Sequence, residues 1–253
     1  VGSFCGAWLM TRLRSFLFSV WFYAVCVVMV LSGQVLSLFS PGLLRPWARY
    51  WSHLLLLGLP IVGIRYVITG RENLPKEGPM LIASMHQSAF DTLLWFSLLP
   101  YCRYVVKIEL TRIPLFGRLA KLSGQIGVDR SGGATTMRML LRKGGAALAE
   151  GTQVVIFPEG TRVPPGERAP LQPGIAALAK AGKLPVIPVA TDSGLLWRRG
   201  IFNHRPGVIH VAIMKPIEAG LPREELMRRI QEAWDAGVAT FAPPGEPVDN
   251  SVH

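Results

Sequence analysis

Two short stretches of this chain hold residues that could do chemistry together. The first is Met85-His86-Gln87-Ser88-Ala89-Phe90-Asp91. An aspartate that reaches back to one imidazole nitrogen fixes the tautomer and leaves the other nitrogen as a base, the logic of a Ser-His-Asp triad without its serine. The same stretch has a plainer reading, because Ser88-x-x-Asp91 also fits the spacing of a helix N-terminal cap. Ser88 is not in a Gly-x-Ser-x-Gly setting, which argues against a serine nucleophile. The second stretch is Phe157-Pro158-Glu159-Gly160-Thr161-Arg162. Gly160 lets a backbone approach a ligand closely, and Arg162 offers a planar fork of donors suited to phosphate or carboxylate. A turn with a local Glu159–Arg162 ion pair is the competing reading. Asp129-Arg130 closes a third motif, Gly124-Gln125-Ile126-Gly127-Val128-Asp129-Arg130, in which Arg130 either binds an anion or pairs with Asp129. Lys107 ends the run Tyr104-Val105-Val106. Three cations at strand ends beside a base would make a phosphate pocket next to a proton acceptor.

These residues need a scaffold, and the patterning supplies one. Short β-rich runs recur at Met80–Ser84, Arg103–Lys107, Gln153–Phe157, Pro185–Val189 and Val208–Ile213. Between them lie segments of three-to-four spacing, such as Met137, Leu140, Leu141 and Leu148 on one face. This alternation predicts an α/β domain layered around a central mixed sheet flanked by helices. His86 then falls at a strand C-terminus, where such sheets place their sites, ahead of a helix over Ala89–Leu99. Val163–Pro173 reads as a loop, with a helix from Gly174 to Ala181 after it. Ile187-Pro188-Val189 carries a proline inside an apolar run, which predicts a sheet edge or a bend.

Ahead of the domain, no charge occurs from Ser15 to Leu44. That exceeds the roughly 20 apolar residues a spanning helix requires, and no cleavage site of signal-peptide type follows. A second apolar stretch, Leu54–Ile64, comes after Arg45, Trp47, Arg49, Tyr50 and Trp51, a mixture suited to the headgroup layer. Two geometries fit: one span with an interfacial helix, or a helix pair dipping into one leaflet. The organisation expected is therefore membrane-anchoring helices over 1–63, the α/β domain over 64–241 and a loose tail over 242–253. The 253 residues are 50% hydrophobic and 17% charged, which excludes disorder. The net charge of +11 favours anionic surfaces, but no strand interleaves basic and aromatic residues as a nucleic-acid binder would. Cys5, Cys26 and Cys102 are too few and too scattered for a disulfide scaffold or a zinc site.

In order and spacing, His-x4-Asp, Gly-x-Ile-x-x-Asp-Arg, Phe-Pro-Glu-Gly-Thr-Arg and Ile-Pro-Val resemble the four motifs of the glycerolipid acyltransferases. The pattern is most similar to the bacterial 1-acyl-sn-glycerol-3-phosphate (lysophosphatidic acid) acyltransferase group, from about Gly70 to Ile217. The resemblance implies His86 as general base and Asp91 as its orienting partner. It implies that Arg162, Lys107 and Arg130 hold the acceptor phosphate, that Glu159 and Gly160 shape the glycerol site, and that Thr161 is among the substrate-binding residues. It places Ile187, Pro188 and Val189 on the acyl-donor side. Backbone amides near the His86 loop are the expected oxyanion donors. The implied reaction moves a fatty acyl group from a thioester, acyl-CoA or acyl carrier protein, to a lysophospholipid at a bacterial inner membrane, with the domain on the cytoplasmic face. No metal and no cofactor is implied. Another lyso-lipid, such as lyso-ornithine lipid, is the alternative acceptor, and a non-catalytic lipid-binding protein the alternative class. Met85 and Gly127 depart from the common pattern at positions that would tune a pocket.

Overall fold

A computed structural model describes residues 2–129, 132–198, 200 and 203–241 of the chain. Arg130 and the tail 242–253 lie outside the described residues. Among the described residues seven strands form the sheet: β1 (Ile64–Thr69), β2 (Met80–Ser84), β3 (Cys102–Lys107), β4 (Ile126–Val128), β5 (Gln153–Ile156), β6 (Val186–Thr191) and β7 (Gly207–Ile213). Their order is β1-β7-β6-β2-β5-β3-β4. Only the β6–β7 pair is antiparallel, so the sheet is mixed, as the patterning predicts. The helices are α1 (Gly2–Phe39), α2 (Leu44–Leu57), α3 (Phe90–Leu98), α4 (Phe116–Leu122), α5 (Gly133–Ala149), α6 (Gly174–Gly182), α7 (Ser193–Leu196) and α8 (Arg223–Ala239).

The inner strands are covered on both faces, which is why they read as unbroken apolar runs. One face, with Ile82, Val155, Ile187 and Val189, packs against side chains of α1, α2 and α3. The other, with Leu81, Val154, Val186 and Ala190, packs against α5, α6 and α8. β1, α4, α7 and α8 are elements that the spacing does not single out. In β1 the pairing edge carries exposed Arg65, Tyr66 and Val67 directly after an apolar stretch, so no alternation marks it.

The proline in β6 does not put that strand at an edge. β6 lies between β2 and β7, and all six of its residues are buried. The strand accommodates Pro188 because its ladder with β7 slips there: Val186 pairs with Ile217, whereas Val189 pairs with Ile213. Pro188 sits in the interval, accepting a bond from the Met214 N–H at 2.9 Å, and its missing donor falls where the regular ladder is interrupted.

α1 is about 57 Å long at 1.5 Å per residue, and its stretch Leu9–Phe39 is long and apolar enough to cross a membrane. One flank of it is packed on the domain. Phe18 meets Trp197 and His204 edge-on, with centroids 5.1 and 4.9 Å away. Further along, Gln34 donates to the Leu115 carbonyl at 2.9 Å, and Arg118 donates to Gln34 and Ser37 at 2.8 and 2.7 Å. The opposite flank, with Leu13, Val20, Val27, Leu31 and Leu38, is exposed. Burial without hydrogen-bond partners holds His204 down at about 4, so its ring packs as a neutral aromatic against α1.

Candidate active site

β2 ends at Ser84, and the chain turns outward through Met85 and His86 before α3 begins. Asp91, in the first turn of α3, is 2% exposed and reaches back over that turn. Its Oδ2 accepts from the Gln87 and Ser88 N–H groups, both at 2.7 Å, and lies 3.2 Å from His86 Nδ1. The two readings of this motif are thus one arrangement. The carboxylate closes the helix N-terminus and orients the imidazole at the same time. Ser88 adds its own Oγ as acceptor for the Phe90 N–H at 3.1 Å.

With Nδ1 held by a carboxylate, the proton resides there and Nε2 is the basic nitrogen. The ring itself is clamped. It stacks on Phe157 with centroids 4.1 Å apart and an interplanar angle of 19°, and Phe157 in turn stacks on Tyr104. Phe157 occupies this position because β5 stops at Ile156, and the chain turns there into Pro158.

The second motif meets the first at the main chain of His86. Glu159 Oε2 accepts the His86 N–H at 2.7 Å, and the Val163 N–H donates to the His86 carbonyl at 2.8 Å. The turn between them needs Gly160, at φ +71°, and closes with its N–H on the Phe157 carbonyl at 2.9 Å. Glu159 is therefore a buried brace for the His86 main chain, whereas Thr161 is exposed and Arg162 half-buried at the outer end of the turn. Burial pushes the Glu159 carboxyl up to about 8, and the negative charge of Asp91 adds to that rise against the His86 N–H.

This displacement has a measurable sign. Between the ordinary carboxylate value of ~4.3 and about 8, the folded chain keeps a proton that the unfolded chain releases. Stability therefore falls as pH rises through that window and stops falling above it. The full effect is ~1.4 kcal/mol per pH unit, or roughly 3–5 °C in Tm for a chain of this size. Glu159→Gln keeps a carbonyl for the His86 N–H and cannot ionise. Thermal melts from pH 5 to 8 should show a flatter Tm profile for the variant, and parallel profiles would exclude Glu159 as the source.

Four of the loop amides are already taken and do not serve as oxyanion donors. Those of His86, Gln87, Ser88 and Phe90 are committed to Glu159, Asp91 and Ser88 Oγ. Nor is Ser88 poised as a nucleophile, because it is buried and its hydroxyl donates to Ser193 Oγ at 2.9 Å.

His86 and Phe157 open into an apolar cavity of about 310 Å³. Its walls come from α1 (Met29, Val30), α2 (Trp47, Trp51), α3 (Phe96), α4 (Leu119) and the β3 run Tyr104–Lys107. Lys107 stands on this lining, half-exposed and 3.3 Å from Glu109. Ile187, Pro188 and Val189 do not line it. They are sealed within β6, where the alternation of a central strand sends Ile187 and Val189 into the core under α1–α3. The remaining histidines with described side chains stand elsewhere: His53 is exposed on α2, His210 pairs with Asp192 at 2.7 Å, and His204 is the buried ring under α1. Among the described residues no three His, Cys, Asp or Glu side chains gather to hold a metal ion.

Sequence reasoning did not find Ser193, whose Oγ donates to Asp91 Oδ1 at 2.6 Å, nor Gln87, whose Oε1 accepts the Gly194 N–H at 3.1 Å. Ser193 is 102 residues from Asp91, and no local spacing marks it.

The profile of the acyltransferase family matches residues 65–192. A 1-acyl-sn-glycerol-3-phosphate acyltransferase of Pseudomonas aeruginosa is 31% identical over 241 residues, which cover 92% of this chain and 93% of that protein. A protein of the same name from Saccharomyces cerevisiae is 29% identical, over 85% of this chain and 72% of its own length. The crystal structure of the 1-acyl-sn-glycerophosphate (LPA) acyltransferase PlsC from Thermotoga maritima shares the fold. Its TM-score is 0.73 at 24% identity, over 90% of this chain and 96% of that one.

Proposed function

This chain belongs to the acyltransferase family, and we propose that it transfers a fatty acyl group from a thioester to the sn-2 hydroxyl of 1-acyl-sn-glycerol-3-phosphate, forming phosphatidic acid. The observation that carries the mechanism is the His86–Asp91 pair at the mouth of an apolar cavity. His86 Nε2 takes the hydroxyl proton as the oxygen attacks the thioester carbonyl. The C–O bond forms, the tetrahedral centre collapses with loss of the C–S bond, and the imidazolium returns its proton to the leaving thiolate. Asp91 stabilises the imidazolium in between. The cavity takes an acyl chain, so α1 and α2 are walls of the substrate site as well as anchors. Arg162, Lys107 and Arg130 hold the acceptor phosphate, Arg162 with the fork geometry that phosphate favours.

The same helices set the relation to the bilayer. α1 is fastened along the domain from Phe18 to Ser37, so a perpendicular crossing would drag the domain face into the lipid. Its apolar outer flank, together with exposed Leu110, Ile113 and Leu115 beside its C-terminal half, favours a helix pair seated in one leaflet. The acceptor then reaches His86 by diffusion in the membrane, and an acidic thioester donor, acyl-CoA or acyl carrier protein, approaches a chain of net charge +11 from the cytoplasm.

Release of free thiol, measured with purified protein across a panel of lyso-lipids in competition, tests this reading. Lysophosphatidic acid should dominate; preference for lyso-ornithine lipid would reassign the acceptor, and lipid binding without thiol release would remove the enzyme. In the same assay Arg162→Ala should raise the acceptor KM about 10- to 100-fold, the range of a charge-assisted hydrogen bond, with the donor KM little changed. Equal KM values would refute the phosphate role.

A further inference from the structure

The Asp91 carboxylate is held from a second side by a segment that lies one residue beyond the part of the chain matched by the family profile. Ser193, the first residue of α7, has no exposed surface, and its Oγ donates to Asp91 Oδ1 at 2.6 Å. Its lone pairs accept from Ser88 Oγ at 2.9 Å, and Ser88 Oγ accepts from the Phe90 N–H at 3.1 Å. Every donor in this series faces toward the carboxylate, so each bond polarises the next. The geometry points to Ser193 as a third member of the His86–Asp91 pair, a positioning residue that fixes the rotation of the Asp91 carboxylate and so aims the imidazole.

Two features make the hydroxyl more than a packed polar group. Asp91 Oδ2 already takes His86 Nδ1 and two amides, whereas Oδ1 has Ser193 as its partner in this buried network. Without that donor, half of a buried carboxylate would be unsatisfied, and the carboxylate would turn or draw a proton to compensate. Ser193 is also placed rigidly for the task. Its N–H is bound to Thr191 Oγ1 and the Gly194 N–H to Gln87 Oε1, both at 3.1 Å. The end of β6 is thereby tied to the loop that carries the base. Ser193 is not part of the cavity lining and makes no hydrogen bond to His86, so its hydroxyl reaches the imidazole through the Asp91 carboxylate.

This role rests on the acyl-transfer reading, and the experiment separates the two. Ser193→Ala, assayed by thiol release per folded protein, should lower kcat about 10- to 100-fold, the range of a hydrogen bond to a charged group, with both KM values within twofold. Ser193→Thr, which keeps the hydroxyl, should recover kcat to within about threefold of wild type, whereas a merely structural serine would leave Thr no better than Ala. In an Asp91→Asn background the same Ser193→Ala change should alter kcat by less than about twofold, because the route through the carboxylate is gone. Wild-type turnover establishes the underlying reading. Full activity of Ser193→Ala, failure of Ser193→Thr to recover, or an equal loss with and without Asp91 would then overturn the role of Ser193 on its own.

Discussion

His86→Ala should lower kcat by ~10²–10⁴-fold, the usual contribution of one positioned proton-transfer group. The loss should appear in thiol release and in labelled phosphatidic acid alike, with both KM values within a few-fold. The fold survives truncation for a specific reason: the bonds that fasten this residue, from its N–H to Glu159 and from the Val163 N–H to its carbonyl, belong to its main chain. The ring itself is partly exposed, stacked on Phe157 at the rim of the cavity. Residual turnover would come from holding thioester and hydroxyl together, which needs no imidazole. A variant within tenfold of wild-type kcat would mean that another group takes the proton.

Asp91→Asn should approach the same loss, about 10²–10⁴-fold in kcat, because the same change in a Ser-His-Asp triad costs ~10⁴-fold through the wrong tautomer. The amide has one acceptor oxygen where the carboxylate offers two. If that oxygen stays with the Gln87 and Ser88 N–H groups, the NH₂ faces a Ser193 hydroxyl that now donates to Asp91 Oδ1. If the amide turns over, the NH₂ faces His86 Nδ1 and drives the imidazole proton onto Nε2, the nitrogen that must be free to act. Either way the imidazolium loses its counter-charge. Melting temperature reports the buried rearrangement and kcat reports the chemistry, so the two costs are read separately. A kcat within tenfold of wild type would reduce Asp91 to a helix cap.

The dyad was legible because it is local. His86, in the loop after β2, and Asp91, in the first turn of α3, are five residues apart, so the short connection alone brings their side chains together. The strands at Met80 and Gln153 were legible because a strand buried on both faces is largely apolar, and those at Arg103 and Val208 because β-branched and apolar residues dominate them despite partly exposed positions. The role of Glu159 was not legible. Its type suggested a polar site, but only the packing of β5 beside β2 brings its carboxyl to the His86 N–H and out of water. Of the two readings of Pro188, the sheet edge failed for a related reason, since an interior strand accepts proline where its ladder slips, and a slip is a property of two strands.

While the resemblance of four motifs pointed to the reaction class, the sequence by itself determined the proximity of His86 and Asp91, the layered α/β scaffold and the apolar character of the N-terminal helices. Each of these is written in residue types at short range: a five-residue interval, a period of two or of three to four, an uncharged stretch. Tertiary structure alone decided that Ser193 grips the far oxygen of Asp91, that α1 and α2 wall the cavity beside His86, and that Ile187–Val189 support the sheet from within. These contacts join segments tens to more than a hundred residues apart. Their energy comes from excluding water between surfaces that meet only when the whole chain has folded, and no local pattern records such a meeting.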